Sequence, residues 1–204
     1  MKKKILITFF SITNIVLGLS QFGYYVSSGL ALSQNVYNLN FAPTGYLEEY
    51  FIQLSPYFTL NEKLSFSVNL QYIGKGSEDT NPQTLHTLKF RSTYVEALPE
   101  AEYSIIDDIL LAIGFNYGIL LKSENKNNDE PWNDIKGSSN LPSYDIGLSS
   151  RIQGEYKKFI IFGRYIYGLK DLTDAIMSDQ NGNPLNELDF YNRTFQFGIG
   201  YKFL

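Results

Sequence analysis

The chain has no cysteine, one histidine, one tryptophan and two methionines in 204 residues. Without cysteine there is no thiolate nucleophile, disulfide, zinc–thiolate site or lipidated cysteine. With His86 as the single imidazole, any catalytic dyad or histidine-based metal site must use it. Charged residues are scarce at 19%, and the formal net charge is −4. Phosphate-backbone recognition needs a clustered basic surface, whereas these lysines are dispersed, so no nucleic-acid partner is expected. No window beyond residue 20 keeps an amphipathic helical period for three turns. Aromatics, by contrast, are abundant: 16 tyrosines and 15 phenylalanines, types that suit pleated strands.

No composition shift divides the chain, and its length fits one domain. At the N-terminus, Lys2, Lys3 and Lys4 precede an apolar run from Ile5 to Leu19, with Gly18 and Ser20 as small residues. This order predicts a secretory signal peptide over residues 1–20, cleaved before Gln21, and a mature domain over 21–204. The other reading is an uncleaved anchor. Thr8, Ser11, Thr13 and Asn14 interrupt the run, which is short of the ~20 residues a helical span requires.

Eight segments of period-two alternation follow. Gly23–Ser33 sets Tyr24, Val26, Leu30 and Leu32 against small residues, and Tyr50–Leu60 sets Ile52, Leu54 and Phe58 against Gln53, Ser55 and Thr59. Leu64–Tyr72 alternates most cleanly. The fourth segment, His86–Ile105, is irregular: Leu88, Phe90 and Tyr94 share a phase with Glu96, so a switch of outward face near Ser92–Tyr94 is expected, with a bulge to accommodate it. Pro99 cannot donate to a ladder and predicts further irregularity. Ile109–Lys122, Tyr144–Tyr156 and Phe159–Leu169 follow, and Phe195–Leu204 ends the chain with four aromatics on one face.

The segments have about the ~9 to 11 residues of a tilted membrane strand, and their number is even. Polar loops are predicted over Gln34–Glu49, Gly74–Gln83, Ser123–Pro142 and Lys170–Phe190, after segments one, three, five and seven. The connections after two, four and six are very short. A soluble sandwich has no reason to sort its loops this way. The expected fold is therefore all-β, an eight-stranded antiparallel up-and-down transmembrane β-barrel in the outer membrane, with long loops extracellular and both mature termini periplasmic. The eighth segment must close against the first. Gln196, Gly198, Tyr201 and Phe203 form an order that resembles the terminal signal read by the barrel insertion machinery.

Five stretches carry a family resemblance: Tyr94–Pro99, Gly114–Leu121, Tyr144–Leu148, Arg164–Asp171 and Asn192–Phe203. In this order they resemble the small outer-membrane β-barrels of Bacteroidetes called PorT-like. The spacing to Pro99 departs by one residue from the usual Tyr-x-Glu-x-Pro run. The resemblance implies an envelope barrel and no reaction; work in secretion or gliding belongs to only some relatives.

The inward charges are the most informative polar residues. If Lys157–Lys158 is a two-residue turn, Arg151 lies opposite Arg164, and the two guanidiniums need carboxylates or water. Glu96, helped by Glu155 or Asp145, is expected to complete a charged interior plug with Arg151 and Arg164; separately solvated charges are the alternative. An eight-stranded barrel leaves room for little beyond side chains, so conduction is expected to be negligible. The alternative is a small passive porin-like channel. His86 reads as a loop histidine, so no enzyme is expected, and no metal or other cofactor. Asp179–Asn183 spaces oxygens like the start of a calcium loop, but the Gly and bidentate Glu that such a loop requires downstream are out of place, and it reads as an Asn-Gly turn. Trp132 suits either a contact hot spot or packing over the mouth. Arg91 and the rim lysines suit lipopolysaccharide phosphates. Expected partners are outer-membrane lipid and lipopolysaccharide, the insertion machinery, and secretion or gliding components as candidates.

Overall fold

Alternation of apolar with polar or small side chains gives one continuous ring of strands. The structure, a computed structural model, describes residues 21–37, 44–81, 86–128, 130–136, 142–172 and 189–203. Its strands are β1 (Gln21–Tyr37), β2 (Gly45–Thr59), β3 (Leu64–Asn81), β4 (His86–Ile106), β5 (Ile109–Asn127), a two-residue β6 (Asn133–Asp134), β7 (Tyr144–Tyr156), β8 (Phe159–Gly168) and β9 (Phe190–Lys202). β6 folds back on β5, and each of the other eight pairs antiparallel with its neighbours along the chain. β9 pairs with β1 and closes the ring, so the barrel has no free edge. The predicted signal peptide and the Asp179–Asn183 turn lie outside the described residues.

The outward face carries a continuous apolar band. Ile113, Ile161 and Ile199 are 69%, 65% and 71% exposed, and they belong to a continuous band with Phe22, Phe115, Phe159 and Phe197. An apolar surface of that extent suits hydrocarbon rather than water. Aromatic contacts tie neighbouring strands at its edge: Phe58 stacks on Phe66, and Tyr24 on Phe203, with centroids 5.4 and 5.2 Å apart.

One rim has tight turns, at residues 60–63, Asp107–Asp108 and Lys157–Lys158; Lys157 takes a positive φ of 57°. The strands run further towards the opposite rim than the sequence pattern suggests. β1 continues to Tyr37 and β2 begins at Gly45, so part of the expected Gln34–Glu49 loop is strand. β3 continues through Gly74 to Asn81, β5 reaches Asn127, and β9 begins at Phe190. In these extensions polar and apolar residues mix on both faces, as Val36, Tyr46 and Phe90 show beside Gln34, Glu48 and Lys89, and hydropathy no longer marks the ladder.

β4 keeps one phase, contrary to the expected switch. Phe90, Ser92 and Tyr94 line the same cavity as Lys75, and Glu96 continues that face. The register shift does fall at Thr93/Tyr94, but the additional residue is Leu121 on β5, since Thr93 faces Lys122 and Tyr94 faces Leu120. At Pro99 the register with β3 is unbroken, Val68 facing Pro99. The proline points outward and loses only its own donor.

Candidate functional site: the packed lumen

Large apolar side chains occupy much of the interior, a feature that the polar alternation of the segments conceals. Tyr25, Phe51, Ile73, Tyr94, Leu120, Ile160 and Phe162 form one buried cluster. Space for it comes from the closing seam, where Gly29 faces Gly198. A Cβ on Gly198 would stand 2.5 Å from the Phe162 ring and 2.9 Å from the Phe51 ring. The glycine is therefore where two rings cross the lumen.

Among these rings lie the charges. Arg151 on β7 faces Arg164 on β8, as the two-residue turn requires. The carboxylates that meet them are Glu100 and Glu102, both on β4. Glu100 takes Arg151 Nε at 2.8 Å and Arg164 Nε at 3.1 Å, while Glu102 takes the second face of Arg151 at 2.6 Å. Ser149 donates to Glu100, Arg151 to Gln153, and Arg164 to Gln53 and Gln196. All four charged side chains are buried.

Glu96 and Glu155 belong elsewhere. Glu96 pairs with Lys75 at 2.6 Å, and Asp145 takes the same ammonium at 3.1 Å; all three side chains are fully buried. Glu155 pairs with Lys202 at 2.8 Å near the tight-turn rim. Gln196 donates to Gln71, and Gln71 to Glu96, so hydrogen bonds join the arginine layer to the lysine layer. β5 provides the room: a Cβ on Gly114 or Gly118 would run into Glu100 or Glu96 respectively.

Lys75 was hidden in a stretch that reads as loop. Glu100 and Glu102 were detectable, since they share the parity of Glu96; extending one phase through Pro99 places all three inside.

The other candidates disperse over the rims. His86 is exposed at the first residue of β4, opposite Asn81. Among the described residues, no group of three or more His, Cys, Asp or Glu side chains is placed to hold a metal ion. Arg91 is held by Glu49 and Glu124 at 3.3 and 2.9 Å, and the Trp132 ring lies 4.2 Å from its guanidinium. Of the terminal residues, Gln196 and Gly198 point inward, whereas Tyr201 and Phe203 point outward in edge contact at 5.1 Å.

A closed antiparallel ring, apolar outside and filled with hydrogen-bonded charge and aromatic rings, defines an integral membrane β-barrel. The chain belongs to the outer membrane protein beta-barrel domain family, whose profile matches residues 19–174, and it is integral to the outer membrane. The match ends before β9. Among solved structures it is similar to Neisserial surface protein A (NspA), with 12% identity, 88% of this chain and 97% of that one covered, and a TM-score of 0.51. For Ail of Yersinia pestis the figures are 17%, 90%, 99% and 0.48. No curated protein matches the chain.

Proposed function

We propose that the protein is a non-enzymatic outer-membrane barrel of PorT-like type whose lumen is sealed by its charged plug. It presents its long connections outside the cell for a structural, surface-recognition or secretion-accessory role. The observation that carries the reading is the Arg151–Glu100–Arg164 bridge, which ties three strands together across a lumen already crossed by Phe51 and Phe162. A pore narrow enough to be filled by such side chains has no continuous water path for solutes.

Planar-bilayer recording of the purified protein tests this, with no single-channel steps expected. Regular steps would favour the small passive channel instead. Protease cleavage of intact cells within residues 173–188 is expected if the long connections are extracellular, and protection there would reverse the orientation. The terminal Gln196, Gly198, Tyr201 and Phe203 are assigned to the insertion machinery, and Arg91 with the rim lysines to lipopolysaccharide phosphates. Residues 1–20 are assigned as a cleaved signal peptide, which intact mass of the mature protein checks. Cross-linking in cells followed by mass spectrometry tests the accessory role, for which secretion or gliding components are the expected partners.

A further inference from the structure

At the long-connection rim, above the arginine layer, the ends of β1, β3, β4, β5 and β9 surround a cavity of about 210 Å³. Phe90, Tyr94, Leu172 and Phe190 give it an apolar wall. A backbone bond of 2.8 Å, from the Leu172 amide to the Phe190 carbonyl, fixes the two segments that carry the last pair. Phe90 is still 37% exposed, and apolar ring surface of that kind is stabilised by leaving water.

The polar side chains of the wall bond within the protein. Lys75, the one charged residue among them, is fully buried, and its ammonium is held by Glu96 at 2.6 Å and Asp145 at 3.1 Å. The Ser92 and Ser123 hydroxyls bond each other at 3.2 Å, Asn192 donates to Asp145 at 3.1 Å, and Asn35 donates to Ser77 Oγ at 3.1 Å. Asn35 Oδ1 is buried without a partner among the described residues, and one acceptor falls short of the roughly two to four polar partners that hold an enclosed water. A charged guest of either sign would lose its hydration here and gain no free counter-charge. A cation meets the ammonium first, and an anion meets an ammonium that two carboxylates already hold.

We infer that this cavity is a binding site for a small uncharged aromatic hydrocarbon, its ring lying among Phe90, Tyr94 and Phe190. Size supports that class: an apolar cavity of about 150 Å³ holds benzene, so 210 Å³ accepts a ring with a short alkyl tail. Three aromatic walls favour a ring over a saturated guest of the same bulk, because ring pairs attract beyond the area they bury. The inference is independent of whether the lumen conducts.

The test is equilibrium dialysis of radiolabelled ethylbenzene between the full chain refolded in detergent micelles and protein-free micelles at equal detergent, so that partitioning into detergent cancels. A saturable excess on the protein side is expected. Ethylcyclohexane should displace it with roughly threefold to tenfold lower affinity, the order that ring–ring contacts supply. The charged analogues 2-phenylethylammonium and phenylacetate should not displace it. Ser92→Trp fills the cavity from its wall, leaves Lys75 and its carboxylates in place, and is expected to abolish the excess. Phe90→Ala changes a ring that is already partly exposed, so it tests the site even where Ser92→Trp fails to fold, and it is expected to weaken binding by roughly the same factor as the saturated analogue. Heat-dependent gel mobility verifies that each variant is folded. Absence of a saturable excess, displacement by either charged analogue as strong as by ethylbenzene itself, or equal affinity for ethylcyclohexane overturns the inference. An excess retained in folded Ser92→Trp, or unchanged affinity in Phe90→Ala, does the same, because it places the hydrocarbon on the lipid-facing surface instead.

Discussion

Arg151 and Arg164 stand directly opposite each other on adjacent strands, and one carboxylate, Glu100, takes a nitrogen from each. Opposed guanidiniums in a narrow lumen repel, so Glu100 stabilises the pair mainly by removing that repulsion. Replacing a single partner of a buried ionic group costs about 3 to 5 kcal/mol, because the remaining charges lose compensation but not their burial. Glu100→Gln is therefore expected to destabilise the barrel by that order, read as a lower urea midpoint in micelles. Glu102→Gln is expected to cost less, since Glu102 contacts only Arg151 and Glu100 remains. Equal effects would mean that the two carboxylates share the load.

At the closing seam the expected defect is steric. Gly198→Ala places a Cβ inside contact distance of both Phe162 and Phe51, where overpacking costs typically ~1 to 3 kcal/mol. Phe162→Leu in the same chain frees the space and should recover part of the loss, although either change alone destabilises. A double-mutant cycle measures that coupling, and strict additivity would show that the rings yield without strain.

Which parts of this molecule were legible in its sequence follows from which solvent each face meets. Hydrocarbon tolerates no exposed charge, so Ile109 to Leu121 and Phe195 to Phe203 announce their outward faces by uninterrupted alternation. The tight turns were legible too, and with them the opposition of Arg151 and Arg164. The interior obeys no such rule. A position facing the lumen accepts Phe51, Gln53 or Ser55 in succession, and its partner is fixed by a ring closure that no single segment encodes. The carboxylate beside the arginines was thus expected at Glu96, when register places Glu100 there and Glu96 beside Lys75. Strand ends beyond the membrane band, including Lys75 itself, were invisible for the same reason.

Phe203→Asp separates recognition by the insertion machinery from stability. Phe203 sits at the tight-turn edge, stacked on Tyr24, where a charged side chain costs only roughly 0 to 1 kcal/mol. Refolding of the variant into micelles should then be nearly normal, while the outer-membrane fraction in cells falls markedly. Normal membrane levels would remove the terminal residues from the insertion signal. Equal losses in cells and in micelles would make their role one of packing.

The bulge at Leu121 makes a separate demand. The additional residue falls where the pairing of β5 with β7 ends, at Ile119 opposite Tyr144, and the backbone carbonyls beyond that point need another donor. Lys136, beyond β6, provides it: its ammonium donates to the carbonyl oxygens of Leu120 and Leu121 at 3.1 and 2.8 Å. The β5–β6 return therefore holds the bulged stretch from the edge of β5 opposite β4, and β6 itself is anchored by pairing to Glu124 and Asn125. Lys136→Met keeps the length and apolar stem of the side chain but removes every donor. It is expected to cost on the order of 1 to 3 kcal/mol locally, the range for hydrogen bonds from a charged group. Hydrogen exchange resolves this from global loss: amides of Leu120 to Glu124 should exchange faster in the variant, while those around Ile113 and Ile161 stay protected. Lys136→Arg, which retains donors at similar reach, should restore protection. If Lys136→Met leaves exchange at the bulge unchanged, the carbonyls are satisfied by water and the return strand has no part in holding the register.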